Sequence, residues 1–296
     1  MTLEYAEPRT RRYRLRAPYH RAHLFGFLAS RAIPGAEVVS ADGEAWCYAR
    51  TLRLPGGPAV FQARATGRTL AVCAWSAPGD QAAVDAAVRR VFDLDADSAE
   101  VDAELSDHPE LAPLVAARPG LHLPGAADPH ELVVRALVGQ QISVAGASTI
   151  CGRIASEHGE PLSTPVAGLT HLFPTADALA AIDPGTLPMP RNRGRAIAAV
   201  SAQLADSTIN LHPDNDRDGV RRALLAAPGI GPWTADYVLM RALGDRDVLL
   251  SSDLIIRRAA AQHAMPEPPR ELAEYAARFA PLRSYVNHHL WAAYSA

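Results

Sequence analysis

The chain has 296 residues, 48% of them hydrophobic, and carries a formal net charge of −3. This length accommodates about two or three small domains with their own cores, and the charge excludes an overall basic coat for nonspecific nucleic-acid binding. No apolar run reaches about 18 residues, and residues 1–16 contain no apolar signal core, so we expect a cytoplasmic protein that is neither exported nor inserted into a membrane.

Residues 10–100 mix short alternating runs with two helical stretches. Period-two alternation is typical of strands with one buried face, so this part predicts an antiparallel β-sheet with helices on one face. The pairs Gly56-Gly57 and Thr66-Gly67 suit the turns of β-hairpins within that sheet. We therefore assign residues 1–104 to an N-terminal α/β domain.

From Asp107 onward the pattern is helical and interrupted by many prolines, which predicts a series of short helices. The longest candidate begins at a cap formed by Asp128-Pro129 and continues to about residue 159. We expect two helical lobes with a cleft between them, one of residues 129–245 and one of residues 105–128 plus 246–296. The predicted fold class is α+β.

The most informative segment runs from Leu224 to Asp253. The turn 228–231, with sequence PGIG, separates two apolar-periodic runs and can expose backbone N–H groups suited to a phosphate. Asp253 precedes another helical pattern, so it is predicted at or near that helix's N-cap. Each feature alone has an ordinary explanation, since such a turn usually connects two helices and such an aspartate usually caps one.

Two residue counts restrict the chemistry. Cys47, Cys73 and Cys151 are widely spaced, so neither a disulfide framework nor a closely spaced metal site is indicated. All 29 basic residues are arginine, and a chain without lysine has no side-chain amine to form a Schiff base with a sugar. The arginines cluster at 9–16, 191–195 and 257–258, a pattern that solvated faces also show.

Taken together, the turn, the aspartate and the aromatic residues between them resemble the helix-hairpin-helix and Gly/Pro-Asp signature of a DNA glycosylase superfamily. Further segments resemble its 3-methyladenine DNA glycosylase II branch, the AlkA type, and extend the likeness over nearly the whole chain; they include FGFLASRAI, CYARTL, VFDLDAD, FPTADALAAIDP and RSYVNHHLWAAY. The resemblance implies an N-terminal antiparallel sheet domain followed by an all-α, two-lobed helix-hairpin-helix domain. Because no cysteine follows Cys151, the branch with a C-terminal iron–sulfur cluster is excluded.

The resemblance also implies roles for individual side chains. Asp253 stands at the position of the essential carboxylate, and Trp233, Tyr237 and Trp291 at those of the aromatic base pocket. Cleavage of an N-glycosidic bond builds positive charge on the deoxyribose, which a nearby carboxylate stabilises, while electron-rich rings suit a cationic alkylated base. Since Trp233 occupies the position of the lysine in lyase members, we expect a monofunctional enzyme that leaves an abasic site.

For DNA contacts, the resemblance assigns the phosphate backbone to Gly229, Gly231 and Thr234. Gln141 is expected to be the wedge that fills the gap left by the flipped nucleotide. The best-known family members have leucine at that position, so the strength of the wedge and the damage selectivity can differ here.

No cofactor is required by this reading. The family does imply a structural Na⁺ or K⁺ at the hairpin, held by the backbone carbonyls of Leu225, Ala227 and Gly229.

The expected function is that of a DNA-3-methyladenine glycosylase in base excision repair, acting as a monomer on double-stranded DNA that contains alkylated bases, in the cytoplasm and associated with the nucleoid. Three alternatives stay open: a non-catalytic binder of bent or damaged DNA, a glycosylase for deaminated or oxidised bases, and a helical protein in which the turn is plain structure. In the last case Trp233, Tyr237, Trp291 and Asp253 would not line one cleft.

Overall fold

The computed structural model describes residues 7–164 and 166–294. Within these residues a five-stranded antiparallel sheet has the order β1-β5-β4-β3-β2. The bounds of its strands are β1 Arg9–Arg14, β2 Glu37–Asp42, β3 Ala45–Leu54, β4 Gly57–Thr66 and β5 Thr69–Trp75. A short pair, β6 Glu160–Pro161 and β7 His171–Leu172, lies outside this sheet.

The sheet forms where the alternating runs predict it. Along β4, exposed Gln62, Arg64 and Thr66 alternate with buried residues of the other face. The strands β3, β4 and β5 are joined by tight turns at 55–56 and 67–68, which confirms the two predicted hairpins.

Helices cover one face of the sheet and enclose an aromatic core. That core contains Tyr48 and Phe61 from the strands and Phe25 and Phe92 from the helices. Within the described residues, the opposite face is covered at one end, where a second small core joins Ala49 and Val60 to Leu162, Val166, Leu169 and Leu172. The two faces of the sheet therefore have different environments.

The rest of the described chain is helical, which confirms the predicted α+β class. The helices are α1 Arg21–Arg31, α2 Gln81–Phe92, α3 Ser98–Ser106, α4 Ala112–Ala117, α5 Pro129–Val138, α6 Val144–His158, α7 Ala176–Ala180, α8 Arg191–Ala205, α9 Arg217–Ala226, α10 Pro232–Ala242, α11 Leu254–Gln262, α12 Pro269–Tyr275 and α13 Arg283–Tyr294. A continuous apolar core runs through them from α3 to α13. The proposed boundaries of the two helical lobes stay a prediction.

The long candidate helix after Asp128 is in fact two helices. Asp128 caps α5 as expected, accepting from the N–H of Glu131 at 3.1 Å. The helix stops at Gly139, Gln141 takes a left-handed conformation with φ of +63°, and Ser143 caps α6. A continuous apolar periodicity conceals this break, because both helices bury the same kind of face. The break creates the loop that carries Gln141.

No helix within the described residues is both long and apolar enough to cross a lipid bilayer.

Candidate active site

Asp253 is the N-cap of α11, as the pattern predicts. Its Oδ1 accepts hydrogen bonds from the backbone N–H groups of Ile255 and Ile256, at 2.9 and 3.0 Å. The N-terminus of a helix carries partial positive charge and favours a negative side chain there. The cap thus fixes the orientation of the carboxylate as well as starting the helix.

Two indole groups complete the surroundings of this carboxylate. Trp233 Nε1 donates to Oδ2 of Asp253 at 2.9 Å, and Trp291 Nε1 lies 3.4 Å from Oδ1. Trp233 comes from α10 and Trp291 from α13, so three helices meet at one carboxylate. All four contacts are N–H donors, which suits an ionised carboxylate held in one position.

The aromatic residues line a cavity of about 480 Å³ together with Asp253. Trp233 and Tyr237 lie one helical turn apart on α10, and their rings stack with centroids 5.0 Å apart and planes 9° from parallel. Trp291 lines the same cavity from α13. The four predicted residues therefore line one cleft. This contradicts the alternative of a helical protein in which the turn only connects two helices. Ligand sites in proteins usually measure about 300–1,000 Å³.

Two arginines that the sequence reading did not single out also line the cavity, Arg31 at the end of α1 and Arg135 on α5. Arg135 contacts Glu37 at 2.9 Å and Glu131 at 3.1 Å, and its guanidinium also donates to the carbonyl of Arg31. Arg50 joins the same two carboxylates from the sheet, at 3.3 and 2.7 Å. This buried network fixes the inner wall of the cavity to the N-terminal sheet.

The two carboxyl groups of this network respond differently to their surroundings, since burial raises the pKa of Glu131 despite the nearby arginines. Burial raises the pKa of a carboxyl group, but the nearby Arg135 and Arg50 outweigh that effect and hold the pKa of Glu37 below its ordinary value. Removing one partner from a buried, paired set leaves an uncompensated charge and costs about 3–5 kcal/mol. The charges therefore have to be kept or lost together.

The same arginines act on Tyr237. Burial by itself raises the pKa of a tyrosine, yet the pKa of Tyr237 lies below its ordinary value because three guanidinium groups, led by that of Arg241, outweigh burial. Arg241 also donates to the Tyr237 hydroxyl at 2.8 Å. The hydroxyl end of this ring is thus fixed by charge, while one face stacks on Trp233 and the ring lines the cavity.

The hairpin between α9 and α10 uses its two glycines differently. Gly229 has φ of +79°, the left-handed conformation expected of this turn, whereas Gly231 has φ of −93° and is the N-cap of α10. Both are exposed. Thr234 is only 3% exposed, and its hydroxyl accepts from Gln140, so its side chain is directed into the protein.

Gln140 connects the hairpin to the loop between α5 and α6. Its Nε2 donates to the carbonyl of Gly229 at 3.0 Å and to Thr234 Oγ1 at 3.1 Å. The neighbouring Gln141 is exposed and stands in its left-handed conformation at the tip of the loop. The predicted wedge and the predicted phosphate contacts are therefore held together by one side chain.

The rim of the cavity is apolar. Among the described residues, the large hydrophobic side chains that are exposed are Ile142, Val144 and Leu254, with exposures of 38%, 44% and 50%. Ile142 and Val144 line the cavity, and Leu254 directly follows Asp253. Exposed apolar side chains gathered at one mouth are typical of a binding surface.

Of the residues missed from sequence, Arg135 had a readable signal. It is the one charged residue among the otherwise apolar residues 132–138 of α5, and Glu131 lies four residues before it, the spacing of a helical ion pair. Arg31 and Gln140 had no such signal, because their partners are distant in the chain.

Comparison with solved structures identifies the fold. The fold matches the 3-methyladenine DNA-glycosylase from Archaeoglobus fulgidus with a TM-score of 0.82, covering 96% of this chain and 98% of that one at 21% identity. It also matches the Schizosaccharomyces pombe 3-methyladenine DNA glycosylase in complex with abasic DNA, with a TM-score of 0.54, covering 65% of this chain and 95% of that one at 19% identity. The chain has the helix-hairpin-helix DNA glycosylase fold.

Sequence comparison is more specific. Residues 10–128 match the model of the AlkA N-terminal domain. The Escherichia coli DNA-3-methyladenine glycosylase 2 is 34% identical over 281 residues, which cover 93% of this chain and 94% of that protein. A Mycobacterium tuberculosis protein described as a probable bifunctional transcriptional activator/DNA repair enzyme AlkA is 40% identical over 94% of this chain, which spans only 55% of its length. The chain belongs to the AlkA-type DNA-3-methyladenine glycosylase family.

Proposed function

We propose that the protein is a monofunctional DNA-3-methyladenine glycosylase, which removes alkylated bases from duplex DNA and leaves an abasic site. The observation that carries this proposal is the position of Asp253, held by four N–H donors at the wall of an aromatic cavity. Family membership supports the same reaction.

In this mechanism Asp253 acts on charge. Breaking the N-glycosidic bond of a flipped nucleotide places positive charge on the deoxyribose, and an ionised carboxylate beside it lowers the barrier. Because the carboxylate is already oriented by α11 and two indoles, little reorganisation is needed during the reaction. Preorganised electrostatic groups of this kind contribute about 10²–10³ in rate.

Alkylated purines such as 3-methyladenine and 7-methylguanine carry positive charge and leave as neutral bases, so they require little help from a general acid. The faces of Trp233, Tyr237 and Trp291 suit such cations, since a favourable cation–π pair contributes roughly 0.5–2 kcal/mol. The pocket therefore selects its substrate by recognition.

Water is the nucleophile in this proposal. Lyase chemistry proceeds through an amine that forms a Schiff base with the sugar, and the sequence contains no lysine side chain to supply one. The strand is thus expected to remain uncut after the base is released.

We further propose that the exposed hairpin at Gly229 and Gly231 contacts the phosphate backbone beside the lesion, and that Gln141 enters the duplex. A Na⁺ or K⁺ ion fits the carbonyls of Leu225, Ala227 and Gly229, because they are neutral oxygens close to the C-terminal end of α9, where the helix dipole is negative. The Gly229 carbonyl keeps one lone pair for this role, since Gln140 uses the other. Monomeric action in the cytoplasm is part of the same proposal.

The test is single-turnover release of 3-methyladenine and 7-methylguanine from methylated duplex DNA. Asp253→Asn is expected to reduce the rate at least about 100-fold while retaining binding to abasic-site DNA. Asp128→Asn is the matched control, because Asp128 caps α5 through the same kind of contact away from the cavity. It is expected to keep the wild-type rate.

Each other outcome has a definite meaning. If the wild type binds abasic-site DNA but releases no base, the protein is a damage binder and the enzymatic proposal is wrong. Equal losses for both aspartate variants show that removal of a negative charge from a helix N-cap in general, and not of a catalytic charge, lowers the rate. Strand cleavage by the wild type contradicts the monofunctional assignment.

A further inference from the structure

Within the part of the chain that the structure describes, the small core around Val60 leaves one half of its sheet face uncovered, and this half carries arginines. Arg12 and Arg14 of β1 point to the same face, because they are two residues apart on one strand. Arg12 pairs in register with Ala71, and Ala71 pairs with Arg64, so Arg64 lies on that face as well. With Arg68 in the turn before β5, these four residues form what we call the arginine face.

The arginine face is not used internally. Arg12, Arg14 and Arg68 are exposed and, within the part of the chain that the structure describes, their side chains have neither an ion pair nor a hydrogen bond. Arg64 donates to the highly exposed Asp42 at 3.3 Å and to Cys47 Sγ at 3.6 Å, and such surface ion pairs contribute about 0–1 kcal/mol. A chain with net charge −3 therefore concentrates unneutralised positive charge here.

The other side of β1 provides a contrast. Tyr13 is buried there and its hydroxyl donates to Asp85, which also pairs with Arg11 at 2.9 Å. The strand thus satisfies its charge on the helix-covered side and leaves it free on the open side. The contacts on the helix-covered side are sufficient to hold β1 in the sheet, so the arginines on the open side are not needed for the fold.

The shape and chemistry of this surface favour a phosphate backbone. Arg12, Arg14 and Arg68 surround one shallow depression with Thr69. Arg12 and Arg14 lie about 7 Å apart along the strand, and Arg12 and Arg64 about 10 Å apart across two strand spacings. These separations are on the scale of the phosphate spacing of duplex DNA, in which each strand presents one phosphate for roughly every 3.4 Å of helix axis.

Other occupants fit less well. Ala71 lies between Arg12 and Arg64, and the small Cys73 follows it on the same face of β5, so the open half has no apolar pockets for the side chains of an added peptide strand. Within the described residues Trp75 shares this face of the sheet, but it packs against the covered end. Stacking of unpaired bases needs exposed aromatic rings, which the open half does not provide.

We propose that the arginine face binds the backbone of a second, undamaged segment of duplex DNA while the cavity holds the lesion. No residue of the face belongs to the cavity, the hairpin or the loop of Gln141. The choice of DNA as the occupant rests on the proposed function. Such a contact carries no sequence information and holds the enzyme near DNA through charge alone.

The first experiment measures binding of fluorescein-labelled undamaged duplex DNA by anisotropy at a series of salt concentrations. Each phosphate contact contributes about 0.9 to the slope of log K against log salt concentration. Replacing two arginines, in Arg12→Gln/Arg14→Gln, is expected to reduce the slope by about 2 and to weaken binding at low salt at least about 10-fold. The control Arg270→Gln/Arg278→Gln removes the same charge from α12 and the turn after it, and is expected to match the wild type.

The second experiment tests simultaneous binding. Protein held on immobilised abasic-site DNA is expected to retain a labelled undamaged duplex, the control variant to retain as much, and Arg12→Gln/Arg14→Gln to lose it. Base release at saturating enzyme should be the same for all three proteins. Coinciding salt slopes for the wild type and the β1 variant, or no retention by the wild type, overturn the arginine face as a DNA site.

The two proposals fail separately. A wild type that releases no base, yet whose salt slope falls on substitution of Arg12 and Arg14, supports the arginine face and contradicts the glycosylase activity. Normal base release with unchanged salt slopes supports the glycosylase activity and contradicts the arginine face. An acidic peptide can also be added as a competitor for the labelled duplex. If the peptide displaces the duplex and the salt slope of Arg12→Gln/Arg14→Gln equals that of the wild type, the face binds a protein partner and the proposal is overturned.

Discussion

Gly229→Ala is the substitution for which the structure gives the clearest magnitude. The residue has φ of +79°, and a Cβ atom there would lie 2.8 Å from the Cβ of Ala196 on α8 and 3.7 Å from Leu137 Cδ2. The left-handed conformation costs a non-glycine residue about 1–2 kcal/mol. Overpacking adds about 1–3 kcal/mol, since Ala196 is a short side chain on a rigid helix and cannot rotate away.

We therefore expect Gly229→Ala to lower the free energy of unfolding by about 2–5 kcal/mol. The unfolding entropy of a chain of this size then corresponds to a fall in Tm of about 3–8 °C. Gly231→Ala is the matched control from the same turn, because Gly231 has φ of −93° and an added Cβ would have no atom within 4 Å. Its expected cost is below about 1 kcal/mol, the scale of a helix-cap substitution.

Thermal unfolding by circular dichroism and equilibrium urea denaturation measure both variants against the wild type. Anisotropy with abasic-site DNA then separates stability from binding, since both assays can be run below the lowered Tm. Equal destabilisation by the two substitutions, or a loss below about 0.5 kcal/mol for Gly229→Ala, would refute the argument that the backbone conformation and α8 together require glycine here.

Two further predictions concern coupling and pH. Gln140→Ala removes the hydrogen bonds to Gly229 and Thr234. We expect it to weaken binding to abasic-site DNA about 10-fold and to lower the free energy of unfolding by about 1–2 kcal/mol. Unchanged affinity would show that the loop and the hairpin act independently. Burial, reinforced by neighbouring positive charge, lowers the pKa of both His23 and His289 to about 4, from an ordinary value of 6.5. Because the unfolded chain takes up these protons first, the free energy of unfolding is highest above pH 6.5 and falls as the pH decreases toward 4. For the well-buried His289 the loss reaches about 3 kcal/mol. Urea denaturation of His289→Gln should therefore show a shallower pH dependence than that of the wild type. A pH profile identical to that of the wild type would contradict this.

Much of the fold was readable because it depends on local pattern. The alternation in β3 to β5 and the turns between them predict the antiparallel hairpins, and Asp128 and Asp253 are recognised as caps from the residues that follow them. The long candidate helix after Asp128 was wrong, since two helices that bury similar faces give one uninterrupted periodicity. Nothing in that periodicity marks Gln141 as left-handed.

The active site divides in the same way. The sequence by itself determined that Asp253 begins a helix, that a glycine turn precedes Trp233 and Tyr237, and that no lysine is available, since these are properties of neighbouring residues or of composition. Only the tertiary structure decided that Trp291 approaches Asp253, that Gln140 joins the loop to the hairpin, and that Arg135 is balanced by Glu37. These contacts join residues that are distant in the chain, and their energies depend on burial and on distances that appear only once the helices pack against the sheet.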